Sequence, residues 1–168
     1  MPIFVHIADA RDGAAIRRSG LKIARMRKLR ASEDLPAGVF ALPVVADFTV
    51  SHQWLRELKA RGHRTNIGIY FRLPKDEPVW AGRYNHAKAP VTAAEAAQAL
   101  RDVGMLGYEV IIPRAIAAGE ITAIRALPQT LGWRYFPGAH GRRPCGYPCC
   151  LQPGTIKARR IREKWGQD

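Results

Sequence analysis

Residues 2–7 are apolar but for His6 and alternate enough to predict a first strand with His6 near its end. Asp9 is placed to cap a helix running to about Ser19, and Gly20 to stop it. Residues 22–35 are basic and irregular and read as a loop. A second short strand is predicted over 38–43 and a helix over 46–59, with Phe48, Trp54, Leu55 and Leu58 on its buried face. Residues 65–73 form the strongest strand pattern, with Tyr70 and Phe71 as core. Pro74-Lys75-Asp76 turns the chain back into a strand over 78–84, so these two read as a hairpin. Thr92 and Glu95 make a capping box for a helix over 92–103. Further strands are predicted over 107–113, 121–127 and 132–136. Strands and helices are mixed and the hairpin-like neighbours come late, so the expected class is α+β.

The strand over 107–113 carries a carboxylate, Glu109, among apolar neighbours. Alternate residues on a strand face opposite ways, so Glu109 could simply face water. The other reading is a glutamate held at a strand edge to bind or activate a ligand, since a desolvated carboxylate needs a partner.

The 168 residues suffice for one domain with a small appendage, and 47% are hydrophobic, which is globular composition. No apolar run reaches the roughly 18 to 20 residues that span a bilayer. The start, Met1-Pro2-Ile3-Phe4-Val5-His6, has neither a basic n-region nor a long apolar segment, so a cytoplasmic protein without a membrane partner is expected. A net charge of +13 changes the picture more, because it favours a polyanionic partner, nucleic acid first. An arginine-rich proteome would give the same excess. The cations crowd two stretches, one holding Arg25, Arg27 and Lys28, the other Arg142, Arg143, Lys157, Arg159 and Arg160. From about residue 137 glycine and proline dominate, so residues 1–136 are expected to form the main domain and 137–168 a cysteine-containing basic tail.

Phosphate-cradling glycine loops and the common hydrolase and metalloprotease motifs are absent. What remains is an order of polar residues in strand contexts. His6 ends strand one and is followed by a short helix and Gly20-Leu21. Gly38-Val39-Phe40 leads toward a helix. Tyr108-Glu109-Val110-Ile111-Ile112-Pro113 is followed by another strand. In this order and spacing the chain resembles the ADP-ribosyltransferase-like fold over residues 1–136. It is closest in outline to toxin-type nucleic-acid ADP-ribosyltransferases and RNA 2′-phosphotransferases.

The resemblance implies a split mixed or antiparallel sheet with flanking helices and NAD as cosubstrate. In the family's histidine–tyrosine–glutamate pattern His6 would hydrogen-bond the adenosine ribose side. The tyrosine that stacks on nicotinamide is replaced here by Phe40, whose ring face can still stack. Glu109 would hold a ribose hydroxyl and stabilise the oxocarbenium-like transition state as the catalytic residue. Either Arg72 or Arg83 could bind the pyrophosphate. The acceptor implied is a nucleic acid or a protein, and a toxin of this type implies an antitoxin or immunity protein as partner. The phosphotransferase alternative needs several basic residues around the phosphate, and none map clearly.

His140, Cys145, Cys149 and Cys150 supply four candidate zinc ligands in one short stretch, although adjacent Cys149 and Cys150 seldom share a site and no CxxC pair is present. Three reduced thiols in a loop read the same residues equally well. If zinc binds, its role is structural. The non-catalytic alternative for the whole chain is therefore a basic nucleic-acid-binding module with a zinc-pinned tail.

Overall fold

In the computed structural model, residues 1–23, 36–60, 63–84 and 86–128 are described. Among them are the strands β1 (Ile3–Asp9), β2 (Val39–Pro43), β3 (Asn66–Arg72), β4 (Pro78–Arg83), β5 (Ala89–Thr92), β6 (Tyr108–Ile112) and β7 (Ile121–Ala126). The helices are α1 (Gly13–Ser19), α2 (Phe48–Ser51), α3 (Leu55–Ala60) and α4 (Ala93–Val103). The strands form one antiparallel sheet in the order β5-β4-β6-β2-β1-β3-β7, and the class is α+β.

The ladders are unequal, and that inequality positions the site. β1 pairs with β3 along its whole length, from Ile3↔Arg72 to Asp9↔Asn66. On its other side it pairs with β2 at Phe4↔Pro43 and Val5↔Leu42. β2 in turn pairs with β6 from Val39↔Ile112 to Ala41↔Val110. Beyond Val5, β1 and β2 therefore part, and the sheet opens between them.

Periodicity explains which faces are covered. Ala93, Ala96, Ala97 and Leu100 recur at helical spacing and are buried on α4, which packs on β2, β4 and β5. They join Phe4, Val39, Ala41, Phe71, Val110 and Ile112 in the main core. Burying a residue such as Leu100 contributes roughly 1.5–3 kcal/mol. A smaller cluster, Ile7, Leu55 and Leu127, lies where α3 meets β1 and β3. The loop after β6 is anchored twice. Leu21 and Ile116 exchange backbone hydrogen bonds of 2.8 and 3.0 Å, and Arg114 pairs at 2.7 Å with both Glu77 and Glu120. Among the described residues no helix is long and apolar enough to cross a membrane.

Three expectations change. Residues 65–73 and 78–84 form strands but no hairpin. β3 lies between β1 and β7, whereas β4 lies between β5 and β6, and the turn at Pro74-Lys75-Asp76 carries the chain from one half of the sheet to the other. The helix expected over 46–59 breaks at His52–Trp54 into α2 and α3, and at the break the Gln53 and Trp54 side chains donate to the backbone carbonyls of Met105 and Tyr108. Phe48, expected to be buried, is 41% exposed and stacks on His52 at 3.8 Å. Asp9 does cap, but its side chain accepts from Arg11 N in a 3₁₀ turn, Ala10–Asp12, that leads into α1. The capping box of Thr92 and Glu95 is present, and Gly104 closes α4 in the left-handed conformation. The expected strand over 132–136 and the boundary at 136/137 lie outside the described residues.

Candidate active site

The opening between β1 and β2 is a cleft of about 400 Å3. His6 of β1, Phe40 of β2 and Glu109 of β6 line it together. Trp54, Asp12 and His63 also contribute to its walls.

His6 sits just past the last β1–β2 pair, and its Nδ1 lies 2.6 Å from the Phe40 carbonyl oxygen. A carbonyl only accepts, so Nδ1 carries the proton, and in the neutral ring Nε2 is left as an acceptor. Burial pushes the His6 pKa down, the Phe40 bond opposes that, and nearby His63 lowers it further. The ring is thus held neutral, bridging two strands that have stopped pairing.

Glu109 is opposite Gly82 of β4. Its side chain is 18% exposed, neither fully in water nor in the core, and its Oε2 is 3.1 Å from the Nζ of Lys88. Gly82 makes this pair fit, because a Cβ there would stand 3.0 Å from Lys88 Cδ. The lysine stem crosses the glycine and delivers its ammonium to the carboxylate one strand away.

The N-terminal end of β6 is fixed by two consecutive residues between α2 and α3. The Gln53 side chain accepts from Gly107 N. The Trp54 Nε1 donates to the Tyr108 carbonyl at 2.7 Å, two residues beyond the last registered β2–β6 pair. Trp54 also meets the ring of Tyr84 edge-on at 5.3 Å. Burial pushes the Tyr108 hydroxyl up to about 12, and it donates to the Ala96 carbonyl at 3.2 Å. At the β1 end of the cleft, Asp9 accepts from Arg11 and from Arg64 N. These bonds, the Arg11 side chain first, hold its carboxyl well below the usual range.

The structure therefore brings His6, Phe40 and Glu109 to one place. Arg72 and Arg83 are exposed and do not line the cleft. Arg72 pairs with Ile3, at the opposite end of β1 from the opening. Arg83 is one rung from the Gly82↔Glu109 pair, opposite Tyr108. Arg25, Arg27, Lys28, Arg142, Arg143, Lys157, Arg159 and Arg160 lie outside the described residues, as do His140, Cys145, Cys149 and Cys150. Sequence reasoning missed Lys88, Asp12 and His63, and it assigned Trp54 to the core only. No pattern marks Lys88, since a lysine between a strand and a proline reads as surface. Comparisons with protein-family models, with curated proteins and with solved structures find no match to this chain.

Proposed function

We propose that this chain is an NAD-dependent ADP-ribosyltransferase that modifies a nucleic acid. The observation that carries the reading is the convergence of His6, Phe40 and Glu109, each from a different strand, on the cleft where β1 and β2 part. The donor set suits the nicotinamide riboside part of NAD. Phe40 and Trp54 offer ring faces for a flat base, and His6 Nε2 and Glu109 offer acceptors for sugar hydroxyls. NAD supplies the ADP-ribosyl group and a nicotinamide leaving group. Cleaving the N-glycosidic bond develops positive charge on the sugar, and a preorganised carboxylate favours that charge. Of the carboxylates that line the cleft, Asp9 is bonded to Arg11 and Arg64 N, whereas Glu109 comes from β6, the third of the three strands.

Two features support an anionic acceptor. The net charge is +13, and Arg17 and Arg18 are exposed on α1, the helix whose Ile16 lines the cleft.

The test is nicotinamide release from NAD by the purified chain, with RNA, DNA or neither. Release that rises with one nucleic acid is expected, and Glu109→Gln should keep the fold while losing at least about 10²-fold in rate. Undiminished turnover in Glu109→Gln would remove the catalytic assignment. No release under any condition, with salt-sensitive binding to nucleic acid, would favour a non-catalytic basic module instead.

A further inference from the structure

Lys88 is a charged residue in an unusual place. Its side chain is 2% exposed, and a lysine is rarely buried unless its charge is paired. The ammonium has three protons and three partners: the Arg83 carbonyl at 2.6 Å, the His86 carbonyl at 3.1 Å and Glu109 Oε2 at 3.1 Å. The first belongs to the last residue of β4 and the second to the segment between β4 and β5, so two backbone groups fix the nitrogen in space before Glu109 is considered. Gly82 leaves room for the stem to lie across β4. Among the described residues Glu109 makes one ion pair, to Lys88 through Oε2, and the glutamate lines the cleft.

We propose that Lys88 is a positioning residue for Glu109. It holds Oε2 and so presents the remaining oxygen to the cleft in one orientation. A glutamate side chain has three rotatable bonds, and without an anchor it would lose rotamer freedom only on meeting its substrate. Anchoring it beforehand moves that ordering cost from the reaction into the fold. The lysine acts behind the carboxylate and does not touch the reacting atoms. This inference rests on the transferase reading, because the effect is read in nicotinamide release.

The experiment compares wild type, Lys88→Met, Lys88→Gln, Glu109→Gln and the Lys88→Met/Glu109→Gln double variant in the full chain. Melting temperature, kcat and KM for NAD are measured for each. Lys88→Met keeps most of the stem but loses the ammonium, and Lys88→Gln restores a neutral donor. Expected are a fall of about 10²-fold in kcat for Lys88→Met, a KM for NAD within about threefold, and partial recovery in Lys88→Gln. Lys88→Met should add no further loss in the Glu109→Gln background, since a residue acting through Glu109 has nothing left to position. An active wild type with folded Lys88 variants at nearly full rate overturns the role of Lys88 and leaves the transferase reading intact. So does a loss carried by KM alone, or one that adds to that of Glu109→Gln. If Lys88→Met fails to fold, Lys88→Gln decides by the same criteria. Unfolding of both makes the lysine structural and overturns the proposal. A wild type that releases no nicotinamide overturns the transferase reading and the role of Lys88 with it.

Discussion

Replacing Gln53 by methionine tests whether the start of β6 is held by a single buried side chain. Gln53 is 0% exposed. Its Nε2 donates to the Val50 carbonyl at 3.0 Å and to the Met105 carbonyl at 3.1 Å, and its Oε1 accepts from Gly107 N. Gly107 adopts a positive φ of 80° immediately before β6, so this bond fixes the turn that delivers Glu109. Gln53→Met conserves length and volume, which keeps the packing cost below about 1.5 kcal/mol. What is lost is polar. One buried N–H and two carbonyls lose a partner, and each unsatisfied group costs about 1–3 kcal/mol. Carbonyls tolerate the loss better than N–H groups, so the Gly107 N–H dominates and the sum is about 3 kcal/mol. For a chain of this size each kcal/mol moves the melting temperature by about 2–4 °C, which predicts a fall of about 9 °C. Thermal and urea unfolding followed by circular dichroism measures it. The control is Gln98→Met on the exposed face of α4, where the change should stay within about 0.5 kcal/mol. Gln53→Glu should cost at least as much as Gln53→Met, since a carboxylate would face two carbonyls that had a donor. A loss below about 1 kcal/mol in Gln53→Met would refute the reasoning, because three satisfied buried bonds cannot be removed so cheaply.

Other expectations concern pH and backbone. Burial lowers the pKa of His6 and of His52, the latter lying between the Phe48 carbonyl at 2.9 Å and the Tyr70 hydroxyl at 2.8 Å. Between those lowered values and the ordinary value of about 6.5 the unfolded chain binds more protons than the folded one, so stability rises with pH through this window and is lost on acidification. The slope is at most about 1.4 kcal/mol per pH unit for each histidine. Melting at pH 7.5 and 5.5 should show a clear drop that His52→Gln makes shallower, and a melting temperature independent of pH would contradict burial of neutral rings. Gly20 has φ 75° and ψ −170°, a region that only glycine enters readily, and a Cβ there would stand 2.0 Å from the Ile116 carbonyl oxygen. Gly20→Ala should therefore destabilise by more than about 3 kcal/mol in urea unfolding, and a midpoint like that of wild type would disprove the close approach.

Local signals in the sequence were sufficient where the interactions themselves are local. The capping box at Thr92 and Glu95, the glycine stop at Gly20 and the β-branched run ending at Pro113 each depend on interactions within three or four residues, and each element stands where those signals put it. The α+β class followed from their order. His6, Phe40 and Glu109 stood out as residues, but their meeting did not follow from any local pattern.

Strand partners, the broken helix and the state of Glu109 were decided only in three dimensions. Every strand offers the same row of N–H and C=O groups, so a turn such as Pro74-Lys75-Asp76 is compatible with a hairpin or with a crossing to the other half of the sheet. The crossing lets β3 pair on both sides, with β1 and with β7. Periodicity over 46–59 is helical, yet the helix is interrupted at His52–Trp54, where Gln53 and Trp54 find backbone partners at Gly107, Met105 and Tyr108, distant in sequence. Lys88 is the sharpest case. Desolvating its ammonium is costly and becomes tolerable only because two carbonyls and a carboxylate from another strand surround it, a balance that no stretch of sequence contains by itself.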